Sequence, residues 1–377
     1  MRFSRALTAA AISLAFAATG ARAADGVPDT MIWSTYDLGS TGYVEASAIA
    51  DALGKKHATR VRLQPSGTSI GRLLPLKTKR VNYAWLANEL YFAAEGLYEF
   101  GAADWGPQDL RVMLGRGNGF SVVVTKVSGI KSVEDLKGKR LAYVAANTSV
   151  NIKLDGIFAF AGLKLADMQI VPFASYGASL KALTEGKADA AGAAPNAAAL
   201  YELASSPNGI GWVPLPADNK KGWEAAVKAV PFLEPFADTI GAGISEANPA
   251  HVMGYRYPMV TIYAEASADE VYAVTKAIID TYDLYKDVNP IMPRWHVSKA
   301  GTPPMDAAFH DGAIRALKEA GVWTAATQAW QDKTLARQKA LQAAWQKAVA
   351  DGKAQNLPAD AWPKFWEAQR EKTLAGL

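Results

Sequence analysis

The chain has 377 residues, with 40 Lys and Arg against 36 Asp and Glu, a formal net charge of +4, 50% hydrophobic residues and no cysteine. This is the composition of a folded globular protein rather than a disordered or fibrous one, and the length suits two domains of about 150 residues. Without cysteine, disulfide frameworks, thiol nucleophiles, iron–sulfur clusters and Cys-ligated zinc are excluded.

In chain order, the N-terminus reads first as an export signal. Met1-Arg2-Phe3-Ser4-Arg5 is basic, Ala6 to Thr19 is an apolar run, and Ala21-Arg22-Ala23 is an A-x-A cleavage pattern. The run falls short of the ~20 residues that span a bilayer. Cleavage near Ala23 removes Arg2, Arg5 and Arg22 and no acid, lowering the formal charge from +4 to +1. The mature protein is therefore expected in the periplasm, with no basic face for nucleic acid.

From Met31 onward, short β-type runs alternate with helical stretches, the pattern of a parallel sheet covered by helices. Strands are predicted over Met31–Thr35, Val61–Gln64 and Val81–Leu86. The helix after the first carries Val44, Ala48, Ile49, Ala52 and Leu53 on one face, and the next carries Leu73, Leu74 and Leu76. Val112–Leu114 and Phe120–Thr125 are strand-like. Between them Gly115-Arg116-Gly117-Asn118-Gly119 lacks the third glycine and following helix of a dinucleotide fingerprint, and reads as a flexible interdomain turn. A second block follows: strand Gly138–Val144, helix Ile152–Phe160, strand Gln169–Phe173, helix Ser179–Glu185 and a connector over Gly209–Ala217. Tyr257–Tyr263 returns as a strand and Asp269–Tyr285 as a helix. Beyond Gly321 the chain is nearly all helix, and Trp323, Trp330, Trp345, Trp362, Phe365 and Trp366 read as helix-packing residues.

Searches for chemistry return little. His57, His251, His296 and His310 lack metal-ligand spacing, and there is no H-E-x-x-H, G-x-S-x-G or P-loop motif. No catalysis, metal or cofactor is expected. What recurs instead, in both blocks, is a polar loop between a strand end and a helix start. In open α/β sheets such loops form the ligand crevice, with helix N-terminal amides pointing into it. Two such blocks face to face make a cleft with a hinge.

Six ordered segments carry a resemblance: Gly39–Leu53 (GSTGYVEASAIADAL), Pro65–Gly71 (PSGTSIG), Ser132–Ala142 (SVEDLKGKRLA), Ala178–Asp189 (ASLKALTEGKAD), Tyr257–Ile279 (YPMVTIYAEASADEVYAVTKAII) and His310–Trp323 (HDGAIRALKEAGVW). In order and spacing the mature chain to about Gly321 resembles the TAXI family of periplasmic solute receptors, the binding subunits of TRAP-type transporters. The loops depart from the family pattern. Ser40-Thr41-Gly42-Tyr43 replaces paired glycines before the tyrosine, Gly67-Thr68-Ser69 replaces Gly-Ser followed by Asn, and Ala145-Ala146-Asn147-Thr148-Ser149 replaces Pro-Gly-Ser-Gly-Thr.

The resemblance implies an α/β, two-lobed periplasmic-binding-protein fold (type II-like), with the ligand cleft between lobes and a C-terminal helical extension. One lobe is expected from residues 29–125 with 244–321, the other from 126–243, and helices over 322–377 bracing the first. It implies a receptor that captures a small carboxylated solute, an organic acid or amino acid, and delivers it to the membrane permease subunits of an ion-gradient-driven TRAP transporter. Alternatives are the binding protein of an ATP-driven (ABC) importer, a chemosensory receptor protein, and an exported hydrolase using carboxylates such as Glu89 and Glu95. The ligand-binding candidates are Tyr36, Ser40, Tyr43, Ser66, Thr68 and Ser69 from one lobe and Asn147, Thr148, Ser149 and Tyr176 from the other. Arg72 and Arg256 are candidate charge partners, weighed against a purely structural ion-pair role.

Overall fold

The computed structural model describes residues 26–377, so the export signal lies outside the described residues. The first part of the chain runs β1 (Thr30–Tyr36), α1 (Thr41–His57), β2 (Arg60–Ser66), α2 (Ser69–Lys77), β3 (Tyr83–Leu86) and α3 (Glu89–Glu95). A long strand, β4 (Leu110–Thr125), leads into β5 (Arg140–Tyr143), α4 (Thr148–Phe160), β6 (Gln169–Pro172), α5 (Tyr176–Thr184), β7 (Ala190–Ala193), α6 (Ala198–Ser205), β8 (Ile210–Trp212), α7 (Lys220–Ala229) and β9 (Glu234–Asp238). A second long strand, β10 (Ala250–Tyr263), returns to α8 (Ala268–Asp280), α9 (Tyr282–Tyr285), α10 (Val297–Ala300) and α11 (Asp311–Glu319). The chain ends in α12 (Ala325–Ala354) and α13 (Trp362–Leu374).

Seven of these helices start where a Ser, Thr or Asn supplies the missing acceptor, among them α12 at Thr324, which accepts the Thr327 amide. Ser40, Thr68, Asn147, Ser175, Asn219 and Ser267 each accept a hydrogen bond from the amide three residues on. The apolar faces bury in part against the sheet: Ile49, Ala52 and Leu53 of α1 and Leu73 and Leu76 of α2 are buried, while Val44 and Leu74, predicted on the same faces, are exposed.

The strand order is β2-β1-β3-β10-β4-β7-β5-β6, with β8 added to β4 and β9 to β10. β1, β2 and β3 run parallel, as do β5, β6 and β7. The sheet is not parallel throughout: β10 pairs antiparallel with β3 and β4, and β4 antiparallel with β7. β4 belongs to both halves. Its residues up to Phe120 pair with β10, and Ser121 to Val124 pair with β7. Two lobes, one around β1–β3 and one around β5–β7, are thus joined through β4.

The expected turn at Gly115–Gly119 is therefore a correction: those residues are the interior of a strand of 16 residues. The glycines serve close approach rather than a bend. A Cβ on Gly115 would lie 2.5 Å from Met259 Cγ, and one on Gly119 2.5 Å from Asp238 Oδ2. The connector expected over Gly209–Ala217 likewise contains a strand, β8.

One large core runs through both lobes; in the first, Trp33, Trp85 and Trp295 pack at tilted angles with ring centroids 5.7 and 5.2 Å apart. Under them the Arg116 guanidinium, fully buried, grips the equally buried Glu45 carboxylate, which also accepts Trp295 Nε1–H. The C-terminal helices pack on the same lobe. Trp362 Nε1 donates to the Gly101 carbonyl at 2.9 Å and Trp366 Nε1 to that of Gly96 at 2.6 Å. Arg337 of α12 and Arg370 of α13 both pair with the buried Glu95. Trp323 and Trp330 pack edge-on against Phe309, and Trp345 against Trp362 and Trp366.

Candidate functional site

A small pocket lies between the lobes, at the C-terminal ends of the parallel strands. Its wall includes Tyr36, the last residue of β1, Ala87 just past β3 and Ala194 just past β7. Strand order reverses across this junction, the position at which open α/β sheets hold ligands.

The lobes touch directly around it. The Ser149 amide, at the start of α4, donates to Ser69 Oγ at the start of α2 (3.3 Å), and Ser149 Oγ donates to Asn88 Oδ1 (2.8 Å). The Gly177 amide of α5 donates to Asp37 Oδ2 at 3.2 Å, Thr41 Oγ1 to Asn196 Oδ1 at 2.8 Å, and the Ala198 amide to the Gly39 carbonyl at 3.0 Å. The cleft is closed in this structure.

Of the ten residues nominated from sequence, Tyr36, Asn147, Ser149 and Tyr176 line the pocket. Ser40 and Thr68 cap α1 and α2. Ser66 Oγ accepts the Thr68 amide within its own turn at 3.3 Å, and Ser69 makes the interlobe bond. Tyr43 and Thr148 are half-buried beside the pocket's helices and are not part of its lining. Asn147 both lines the wall and caps α4. Arg256 faces Glu234 at 3.7 Å, away from the lining.

The remaining wall was not nominated: Asp37, Phe120, Lys153, Tyr255 and Tyr257, with Arg72 weighed only as a charge partner. Signals for some of these existed. Tyr255 and Tyr257 are spaced to share one strand face, and Lys153 is the one cation of α4, one turn after Ser149.

The chemistry of the wall is that of a donor surface. Arg72 is buried; its Nε donates to Glu89 Oε1 at 2.8 Å, its Nη1 to the Ser66 carbonyl at 3.2 Å, and its plane lies 4.4 Å from the Tyr36 ring centroid. Tyr257 Oη accepts the Gly42 amide at 2.9 Å and Tyr176 Oη accepts the Ala194 amide at 3.1 Å. With an amide already donating to each oxygen, each phenol has its own proton left to give. Burial pushes Tyr176 up to about 12, and burial with its Tyr176 neighbour holds Tyr257 well above the ordinary value, so both stay protonated donors. The one carboxylate in the lining, Asp37, is occupied by the Leu38 and Gly177 amides.

Burial works to raise Glu89, but the Arg72 charge and hydrogen bond outweigh it and leave the carboxyl below its ordinary range. Lys153 goes the other way: burial pulls its ammonium down to about 7, opposed by Glu89 and Asp306. The protein's cations also occupy the aromatic faces, with Lys153 Nζ 4.4 Å from the Tyr255 centroid and 4.8 Å from that of Phe120. A cationic guest would therefore meet like charge where an aromatic cage otherwise attracts it. Among the described residues, no group of three or more His, Asp or Glu is placed to hold a metal ion, and no helix is long and apolar enough to cross a membrane.

Two α/β lobes joined through a shared long strand and closed over a polar pocket make the fold of the periplasmic binding proteins. The chain belongs to the NMT1-like family, whose profile matches residues 35–321. No curated protein matches it. Among solved structures it is similar to the periplasmic aliphatic sulphonate binding protein SsuA from Escherichia coli, at 17% identity over 82% of this chain and 86% of that one, with a TM-score of 0.43. It is also similar to the alkanesulfonate-binding protein SsuA from Xanthomonas axonopodis pv. citri (14% identity, 78% and 91% covered, TM-score 0.40). A third is the substrate binding protein of an amino acid ABC transporter (13% identity, 71% and 98% covered, TM-score 0.41).

Proposed function

We propose that this protein is an exported receptor that closes its lobes over a small organic anion, a carboxylate or sulfonate, and hands it to a membrane permease. The observation that carries the reading is the donor-rich wall: Arg72, Lys153 and the two phenol protons of Tyr176 and Tyr257 face a pocket whose only lining carboxylate is already occupied. Tyr176 stands on α5 and Tyr257 on β10, so an anion between them ties the lobes together. Residues 29–125 with 244–321 form the first lobe, 126–243 the second, and 322–377 the brace on the first. Tyr36, Asn147, Ser149 and Tyr176 contact the solute; Ser40, Tyr43, Ser66, Thr68, Ser69 and Thr148 shape the loops around it.

Two permease types take solute from receptors of this architecture. An ATP-driven importer is the partner type named for one of the similar solved structures, while an ion-gradient-driven TRAP permease is what the six TAXI-like segments support. A neighbouring gene for an ATPase or for a large multi-span permease separates the two. The capture step is tested by equilibrium dialysis of the mature chain against mono- and dicarboxylates, 2-oxoacids, amino acids, aromatic acids and alkanesulfonates, followed by recovery of the bound compound. A bound anion returned unchanged supports a receptor, whereas a consumed one makes the protein an exported hydrolase.

A further inference from the structure

One charge in the pocket wall has no carboxylate in contact with it. Lys153 is 1% exposed. Its Nζ donates to Asn88 Oδ1 at 2.7 Å, to Ser149 Oγ at 3.1 Å and to the Ser149 carbonyl, all neutral oxygens, and its other neighbours are the Phe120 and Tyr255 rings. The charged groups around it come from three other elements: Glu89 from α3, Arg72 from α2 and Asp306 from the segment before α11. Glu89 Oε1 is committed to Arg72 and Tyr36, while its Oε2 is buried without a hydrogen-bond partner. Asp306 keeps Oδ2 buried without a hydrogen-bond partner. A buried ammonium with no counter-ion has two ways to relieve its desolvation: release its proton, or gain an anion. Lys153 lines the pocket, where the second would take place.

We propose that the pocket captures its anionic solute together with a proton, taken up at Lys153, so that the two enter as a neutral pair. This rests on the reading of the site as an anion receptor. Burial brings Lys153 down to about 7, so the unliganded pocket is short of a proton just above neutral pH. A carboxylate or sulfonate arriving beside Lys153 favours its protonated form. Affinity then falls as pH rises above 7, by up to about tenfold per unit while one proton accompanies each ligand.

The test is a pH-stat titration of the mature chain in unbuffered sodium chloride at pH 8, with sodium 2-oxoglutarate, benzoate and methanesulfonate as probes and occupancy followed by equilibrium dialysis. For a probe that binds, between about half and one proton is taken up per molecule bound. Lys153→Arg, whose guanidinium stays charged at this pH, is expected to bind the same probe with that uptake abolished. Lys153→Met is expected to lose the uptake together with roughly tenfold in affinity. Binding by the unaltered chain without proton uptake overturns the proposal and leaves the anion receptor standing, as does uptake that persists in Lys153→Arg. Failure of every anion to bind, while a neutral or cationic solute does, overturns the anion reading and this proposal with it.

Discussion

Tyr176 and Tyr257 set the same chemistry on opposite sides of the pocket, each oxygen filled by a backbone amide and each proton unused. Tyr176→Phe is expected to weaken an anionic ligand by about tenfold or more, the size of a hydrogen bond to a charged group. It is also expected to cost about 1 kcal/mol of stability, because the Ala194 amide loses its acceptor. Calorimetry with an acid and its neutral amide separates the two effects, since only the acid's affinity should fall. Asp306 offers a second residue-level check. Its folded-state pKa lies above its unfolded value, so between about pH 4 and 7 the native state holds more protons than the unfolded one, and its contribution to stability is lost as pH rises through 7. Asp306→Asn should remove that loss, which has a slope approaching 1.4 kcal/mol per pH unit, seen as a flatter pH profile of the urea midpoint between pH 5 and 7. At this scale the sequence showed the residues that sit where a strand end meets a helix start, Tyr36, Asn147, Ser149 and Tyr176, because that position follows from local pattern alone. It left Lys153, Tyr255 and Tyr257 unassigned, because their spacing sets them on a helix turn or a strand face while only the tertiary packing of α4 and β10 brings them to the pocket.

At the scale of elements the polar loops have a double nature. Ser40, Thr68 and Asn147 were nominated as binding residues, yet each satisfies its own helix first. Asn147→Ala should therefore lower stability by about 1 kcal/mol even without ligand, the usual size of a lost cap. The β/α alternation and the amphipathic helices were legible because periods of 2 and 3.6 are local properties. β4 was not, since a glycine cluster that reads as a turn is here the price of close strand approach. Gly119→Ala is expected to destabilise by about 1–3 kcal/mol, because its Cβ would press on Asp238, which receives the Gly119 amide and the Arg294 guanidinium. A lowered denaturant midpoint with an unchanged slope would show strain within an intact fold.

Across the whole molecule, the C-terminal helices are tied to the first lobe by Glu95, held by one arginine from each helix, and by the indoles of Trp362 and Trp366. Glu95→Gln should cost about 3 kcal/mol, the scale for breaking a buried ion pair, without moving the interlobe contacts on the far side of that lobe. Closure depends on a different set of bonds, among them Asp37 to the Gly177 amide and Thr41 to Asn196. In two-lobed receptors closure is a hinge motion around the ligand, and here it brings the donors of both lobes onto one guest.

The most direct measurement is the thermal midpoint of the mature chain with matched acid and amide pairs, benzoate against benzamide and phenylacetate against phenylacetamide among them. A ligand at 100 times its dissociation constant adds about 2.7 kcal/mol, a shift of a few degrees for a chain of this size. The account predicts that at least one acid raises the midpoint while its amide leaves it in place; stabilisation by the amide and not the acid would contradict it.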